Sequence, residues 1–430
     1  MIDMKRVATM AAVVVSAVLA ACGGKGSDDD DGTARIRLLN ASGAYASLDF
    51  YVDDVKKNSG LGYGAVGEYA SVSTSASLST VITNTGSTSA LSTTGRSLSK
   101  DVAYTVVAYG WQGAMKTALL EENVTAADSG KTKLMVLNSA IDAGSVDVYL
   151  TGTDEALDNA SAVAASVAGG ATVGYTSVTS GTYRLRVTAA GDKSDLRLDV
   201  SGLTLASTQV ATLIVTPGSG GVLVHALLAV QQGSVSAFNN NLARARVVAS
   251  VAGNGKVTAS LGGSTLLSGG TSPTIGSYGT FVANNSALQL VVNGTPVAVT
   301  APALAAGSDT TLLVWGSAAA PQLAVINDDN RLPTLSTNAK LRLVHAVSGL
   351  SDALTLTADF SVIAGDVLPG TASAFGNVTG GSSLRLDVSS PLSTAALYTL
   401  SDGTLASRGV YTLFMLGEAA QPSAALRKER

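Results

Sequence analysis

Few residues of this chain are of types that do chemistry, so their spacing can be weighed one by one. There are two histidines, His225 and His345, and a single cysteine, Cys22. A Ser–His–Asp set needs a base oriented by an acid and close to a nucleophile. Serines are so frequent here that pairing one with either histidine carries no weight, and no hydrolytic site is read from them. A tetrahedral zinc site built from two distant histidines and one cysteine would have to borrow carboxylates. Gly62-x-Gly64-x-x-Gly67 matches a dinucleotide fingerprint letter for letter. That motif works only between a strand and a helix; here it runs into Glu68-Tyr69 and a Ser/Thr-rich stretch, and it reads as a turn. The two tryptophans differ. Trp315 lies inside an apolar strand and reads as core, whereas Trp111 lies in the loop Gly110-Trp111-Gln112-Gly113. A loop tryptophan is either a sugar-stacking or protein hot-spot contact, or a ring folded over the end of its domain. The residues therefore predict no enzyme, no metal and no cofactor, with Trp111 as the possible ligand contact.

Cys22 closes Leu19-Ala20-Ala21-Cys22, after Lys5, Arg6 and an apolar run from Val7 to Ala21. A positive flank, a short apolar core and small residues make a cleaved export signal. Fifteen residues fall short of the roughly 20 needed to span a bilayer as a helix. The cysteine after the small residues resembles the lipobox of bacterial lipoproteins, which implies cleavage before Cys22 and acylation of its thiol and amine. Several acyl chains, at about 0.8 kcal/mol per buried CH₂, make a firm anchor. Gly23 to Thr33 reads GGKGSDDDDGT, a flexible acidic tether. Asp28 to Asp31 lack the spaced oxygen ligands and the turn of a calcium loop. Gly23 after the cysteine resembles lipoproteins released to the outer membrane, and that is the expected location.

Composition narrows the class. Of 430 residues 46 are Gly and only 13% are charged, while 46% are hydrophobic, and Ser and Thr supply most of the polarity. The mean hydropathy is +0.32 without a second long apolar run, which predicts many half-buried strands. Net charge is −4, so the basic face that nucleic-acid binding needs is missing.

Internal repeats divide the chain beyond Thr33 into four units. Each opens with a strand: ARIRLLNAS from Ala34, TKLMVLNSA from Thr132, ARARVVASV from Ala243 and AKLRLVHAV from Ala339. Arg or Lys alternating with small and apolar residues predicts one partly solvated face. Asn40, Asn138 and His345 share a strand-end place, where a hydrogen-bonding cap would explain all three. Tyr69, Tyr175, Tyr278 and Phe375 share a mid-repeat aromatic place. The strands VVAYG, LIVTP, LLVWG and LFMLG, each followed by a loop and a last strand, are the most regular feature. Around seven short strands per unit predict an all-β, antiparallel two-sheet sandwich. The divisions expected are 1–21 signal peptide, 22–33 tether, then repeats over 34–123, 131–233, 243–330 and 338–430. The acidic boundaries Glu121-Glu122-Asn123 and Asp328-Asp329-Asn330, like Gln231-Gln232-Gly233, read as solvated turns. The spacing of the repeats predicts pairing of units one with two and three with four, with a looser joint around Ser234 to Leu242.

Ala34 to Ser42, Leu48-Asp49-Phe50-Tyr51-Val52-Asp53 and Gly60-Leu61-Gly62-Tyr63-Gly64 ahead of Tyr69 resemble a bacterial domain family of unknown function. The start of the fourth unit, from Ala339 to Ala346, resembles it too. The resemblance implies tandem Ig-like sandwiches in lipoproteins and secreted proteins and brings no catalytic residues. The expected function is a non-enzymatic binding or structural module of the envelope, its partners being lipid through Cys22 and an envelope protein or saccharide. Strand addition to a partner through exposed edges is the alternative, and a hydrolase a distant third.

Overall fold

A computed structural model describes residues 32–284 and 287–430; the signal segment, Cys22 and Asp28 to Asp31 lie outside the described residues. Among the described residues strands predominate and group into eight sheets, two to each unit, with 3₁₀ turns at Ile141–Ala143 and Leu157–Asn159 as the helical elements. In unit one Ala70–Ser73, Thr33–Asn40, Ala103–Trp111 and Ala114–Glu121 form one sheet, and Val55–Leu61, Leu48–Val52, Leu78–Asn84 and Ala90–Arg96 the other. The other three units repeat this order with small additions. Unit three, despite its glycine-rich stretch, also has both sheets.

Alternate residues of the two sheets face each other and make a separate core in each unit. In unit one Ile36, Leu38, Phe50, Ile82 and Val106 are fully or almost fully buried between the sheets. The sheets are antiparallel except for one strand pair in each unit. The opening strand of every unit runs parallel to its most regular apolar strand, and in the same register: Arg37 faces Thr105, Met135 faces Thr212, Arg246 faces Thr311 and Arg342 faces Thr412. The glycine ending that apolar strand has a local cause. Gly110, Gly316 and Gly417 all have positive φ (99°, 91° and 83°), and a Cβ on Gly110 would lie 2.4 Å from the carbonyl oxygen of Ala114.

The opening strand also refines an expectation. Its second face is solvated only at its start, where Arg35 and Lys131 are exposed, whereas Arg37, Arg246 and Arg342 further along are at most 5% exposed. The rest of that face is covered by the neighbouring sandwich. Leu39, Val107, Tyr109 and Leu120 of unit one pack on Leu137, Ile214 and Leu227 of unit two. Val248, Leu313 and Ile326 of unit three pack likewise on Val344, Phe414 and Leu416 of unit four. Trp315 belongs to this second joint and not to a single unit's interior. Units thus associate as one–two and three–four through their parallel-pair sheets. Between the pairs, Val235–Phe238 is a strand added to the sheet of unit two, so ordered pairing replaces the loose joint expected there.

Candidate functional site

Charged residues recurring in the repeats meet at the joints. In unit one Arg37 donates to Thr105 at 2.9 Å and to Glu122 at 3.5 Å, and its guanidinium lies 4.2 Å from the centroid of Tyr69. Thr105 and Tyr69 donate their hydroxyl protons to the same Glu122 carboxylate. Burial and that anion both push the Tyr69 hydroxyl well above its usual range. Unit two answers from the Gln-Gln boundary. The Gln232 backbone N–H donates to the Glu122 carboxylate at 2.6 Å, and Arg37 reaches the Gly233 carbonyl at 3.0 Å. In the second joint the arrangement is reciprocal. Arg246 of unit three donates to Glu429 of unit four at 2.8 and 2.6 Å, while Arg342 of unit four donates to Asp328 of unit three. Tyr278 and Phe375 cover these arginines as Tyr69 covers Arg37.

The boundaries are therefore solvated turns only in part, since Glu121, Asn123 and Gln232 are exposed but their neighbours are not. Glu122, Asp328 and Asn330 are all nearly inaccessible, because each satisfies an arginine or a hydroxyl brought by a neighbouring strand. A buried carboxylate without such partners would carry a heavy desolvation cost. In units one, three and four the mid-repeat aromatic place and the positive strand residue are explained together: the ring is a lid over a buried guanidinium.

A third joint holds the two pairs together, and Trp111 sits in it. The indole N–H of Trp111 donates to the Asp142 carboxylate of unit two. Arg331, from the segment between units three and four, lies over the ring at 4.3 Å from its centroid. Arg430 donates to the carbonyls of Gly221 at 2.7 Å and Asp142 at 2.6 Å, and burial lowers its guanidinium to about 10. Asn330 donates its backbone N–H to the Gly220 carbonyl at 3.1 Å. Burial raises the Asp142 carboxyl, with Trp111, Arg331 and Arg430 pulling it back.

Two hollows open beside the half-buried ring. One, of about 120 Å³, lies among Trp111, Lys116, Ser139, Pro333, Ser336 and Arg408. The other, of about 340 Å³, lies among Trp111, Gln112, Arg331, Lys340, Phe375 and Asn377. Trp111 and residues 332–334 line both. Cations in the larger hollow are engaged: Arg331 pairs with Asp329 at 2.6 Å, and Lys340 with Asp329 at 3.0 Å. Lys116 and Arg408 are exposed and hold no side-chain partner among the described residues. Clefts between domains, with an aromatic wall and a few convergent polar groups, are where ligands bind. Sequence reasoning found Trp111 but not the cations around it, which come from units one and four and the segment before unit four and carry no local motif.

The remaining candidates stand apart from this cleft. The His345 ring accepts the Val347 N–H at 3.3 Å through Nδ1 and bonds the Asp352 carbonyl at 3.1 Å through Nε2. Asn40 and Asn138 likewise accept the amide two residues on, at 2.9 and 3.1 Å, so the strand-end place is a cap in all three units. His225 accepts the Asn240 N–H at 3.0 Å, and burial lowers its basicity. Gly62 to Gly67 form the connection between the strands Val55–Leu61 and Ala70–Ser73, with Gly64 donating to the Asn40 carbonyl at 2.8 Å. No group of three or more His, Cys, Asp or Glu side chains placed to hold a metal occurs among the described residues.

The architecture is that of an all-β protein of tandem two-sheet sandwiches. The chain belongs to the family described as Domain of unknown function (DUF4397), which matches residues 34–149 and 243–352. Each match begins at the first strand of a pair of units and continues into the second member. Solved structures with a likeness to the chain include the CBM26 module of Eubacterium rectale Amy13K in complex with maltoheptaose, 12% identical, covering 48% of this chain and 96% of that one with a TM-score of 0.15. A putative cell adhesion protein from Parabacteroides distasonis is also 12% identical, covering 70% and 99% with a TM-score of 0.18. At such TM-scores neither likeness bears on function. No curated protein matches the chain.

Proposed function

We propose that this protein is a non-enzymatic binding module of the bacterial envelope, held at the outer membrane by acyl chains on Cys22 and presenting the Trp111 cleft to its ligand. The observation that carries the reading is the contrast between two sets of charges. Arg37, Arg246, Arg342 and their acids are engaged inside the joints, whereas Lys116 and Arg408 line the cleft beside Trp111 without partners among the described residues. Joined sandwiches fix the cleft walls, and rigid scaffolds bearing exposed loops are a common design for binding. Capture of envelope saccharides and proteins on the full chain tests it. Material retained by the native chain and lost with Trp111→Ala, but kept with Trp315→Phe, is the expected result. Retention unchanged by Trp111→Ala would exclude the cleft.

A second reading, strand addition by a partner, is favoured by one feature. Ala320–Asp328 ends its sheet, and Val325 on it is 47% exposed. In-cell cross-linking from Val325 to a single envelope protein would favour it over the cleft.

A further inference from the structure

The smaller hollow beside Trp111 has a chemistry of its own, and its ligand is inferred on the basis of the cleft proposed as the binding site. Its walls combine two kinds of surface. Trp111 and Pro333 supply flat apolar faces and Ser336 an exposed hydroxyl, whereas the buried Ser139 hydroxyl already donates to the Val215 carbonyl at 2.7 Å. Lys116 comes from the last strand of unit one and Arg408 from a turn of unit four, so two cations from opposite ends of the chain face one hollow. Both are exposed, and neither has a side-chain partner among the described residues. Every other arginine or lysine named at the joints holds a carboxylate, a carbonyl or a hydroxyl. The one acid lining the hollow, Asp142, is 5% exposed and already accepts the Trp111 N–H. The accessible charge is therefore positive, in a chain whose net charge is −4.

A flat apolar wall with one accessible hydroxyl and two free cations fits one kind of ligand. A sugar ring has an apolar face that packs on an indole and a rim of hydroxyls, one of which Ser336 can bond. An oxyanion on that ring would answer both cations: a guanidinium takes a carboxylate or phosphate through two parallel hydrogen bonds, and an ammonium takes either as a point charge. We propose that the Trp111 cleft binds a saccharide carrying an oxyanion, with the ring against Trp111 and the anion between Lys116 and Arg408.

Calorimetric titration of the full acylated chain in neutral detergent tests this with three probes: tetragalacturonate, glucose 6-phosphate and maltotetraose. The first two separate a carboxylate from a phosphate source, and the third is the uncharged control. At low salt at least one anionic probe is expected to bind about tenfold or more tighter than maltotetraose, and to weaken as salt is raised. Lys116→Gln and Arg408→Gln are each expected to lower that affinity about tenfold and to leave the thermal midpoint unchanged, both side chains being exposed. Maltotetraose binding as tightly as the anionic probes and lost with Trp111→Ala would overturn the anion preference and leave the cleft standing. Anionic binding unaffected by both glutamine variants, or no binding by either anionic probe, would also overturn it.

Discussion

Arg246 of the third sandwich and Glu429 of the fourth form a two-bond ion pair at 2.8 and 2.6 Å, with only 4% of either side chain exposed. Arg342 and Asp328 return the exchange in the opposite direction, so each unit completes the other's buried charge. Removing one member of such a pair leaves the other charged and dry. Glu429→Leu is expected to destabilise units three and four by about 3–5 kcal/mol in urea unfolding. The double variant Arg246→Met/Glu429→Leu should recover most of that loss. A single variant costing less than about 1 kcal/mol, the range of an exposed pair, would mean that the pair is solvated.

That relationship also marks the limit of the sequence. Strands, sandwich class and the place of each turn are legible in alternation and in glycine positions such as Gly110, Gly316 and Gly417. The cap shared by Asn40, Asn138 and His345 is legible too, because one local hydrogen bond explains three residue types. Arg37, Arg246 and Arg342 are different. Alternation with apolar residues reads as a wet face, since the second sandwich that dries it is remote in the chain. Glu122 and Asp328 look like hydrated linkers for the same reason. The cleft suffers most, as Trp111, Lys116, Pro333 and Arg408 are brought together only by three successive joints.

Burial raises the Asp309 carboxyl to about 6, against the pull of Arg244 at 3.1 Å and Asn330 at 2.7 Å. Between 3.8 and that value the folded chain keeps a proton that the unfolded chain has released. Stability from this group is therefore full below the unfolded value and lost as pH rises through about 6. Asp309→Asn removes the titration. Its stability relative to the native chain is expected to rise between about pH 4 and 7, by on the order of 3 kcal/mol in all. Urea midpoints at several pH values check this, and a pH-independent difference would contradict it.

Hairpin tips of three units use two successive residues at positive φ: Asp53-Asp54, Gly262-Gly263 and Asp359-Phe360. Phe360 has φ 66° and is 79% exposed, so the ring gains little burial for a backbone that L-residues avoid. Its contact with Arg385, 5.5 Å from the centroid, is a solvated one. Phe360→Asn is expected to raise stability by about 0.5–1 kcal/mol in thermal unfolding. A loss of that size would show that the ring supports the hairpin.

The proposed membrane attachment depends on acylation of Cys22. Metabolic palmitate labelling should mark the native protein and disappear with Cys22→Ser, which should also move the protein out of the outer-membrane fraction. Labelling that survives the substitution would rule out this anchor.

Trp111 reports on the cleft directly. With Trp315→Phe it becomes the sole indole of the chain, so fluorescence of that variant, titrated with tetragalacturonate, follows the proposed contact alone. A saturable change in intensity or emission maximum, abolished by Lys116→Gln together with Arg408→Gln, is the predicted result. Binding detected by calorimetry with an unaltered Trp111 spectrum would place the ligand elsewhere and contradict the proposed cleft.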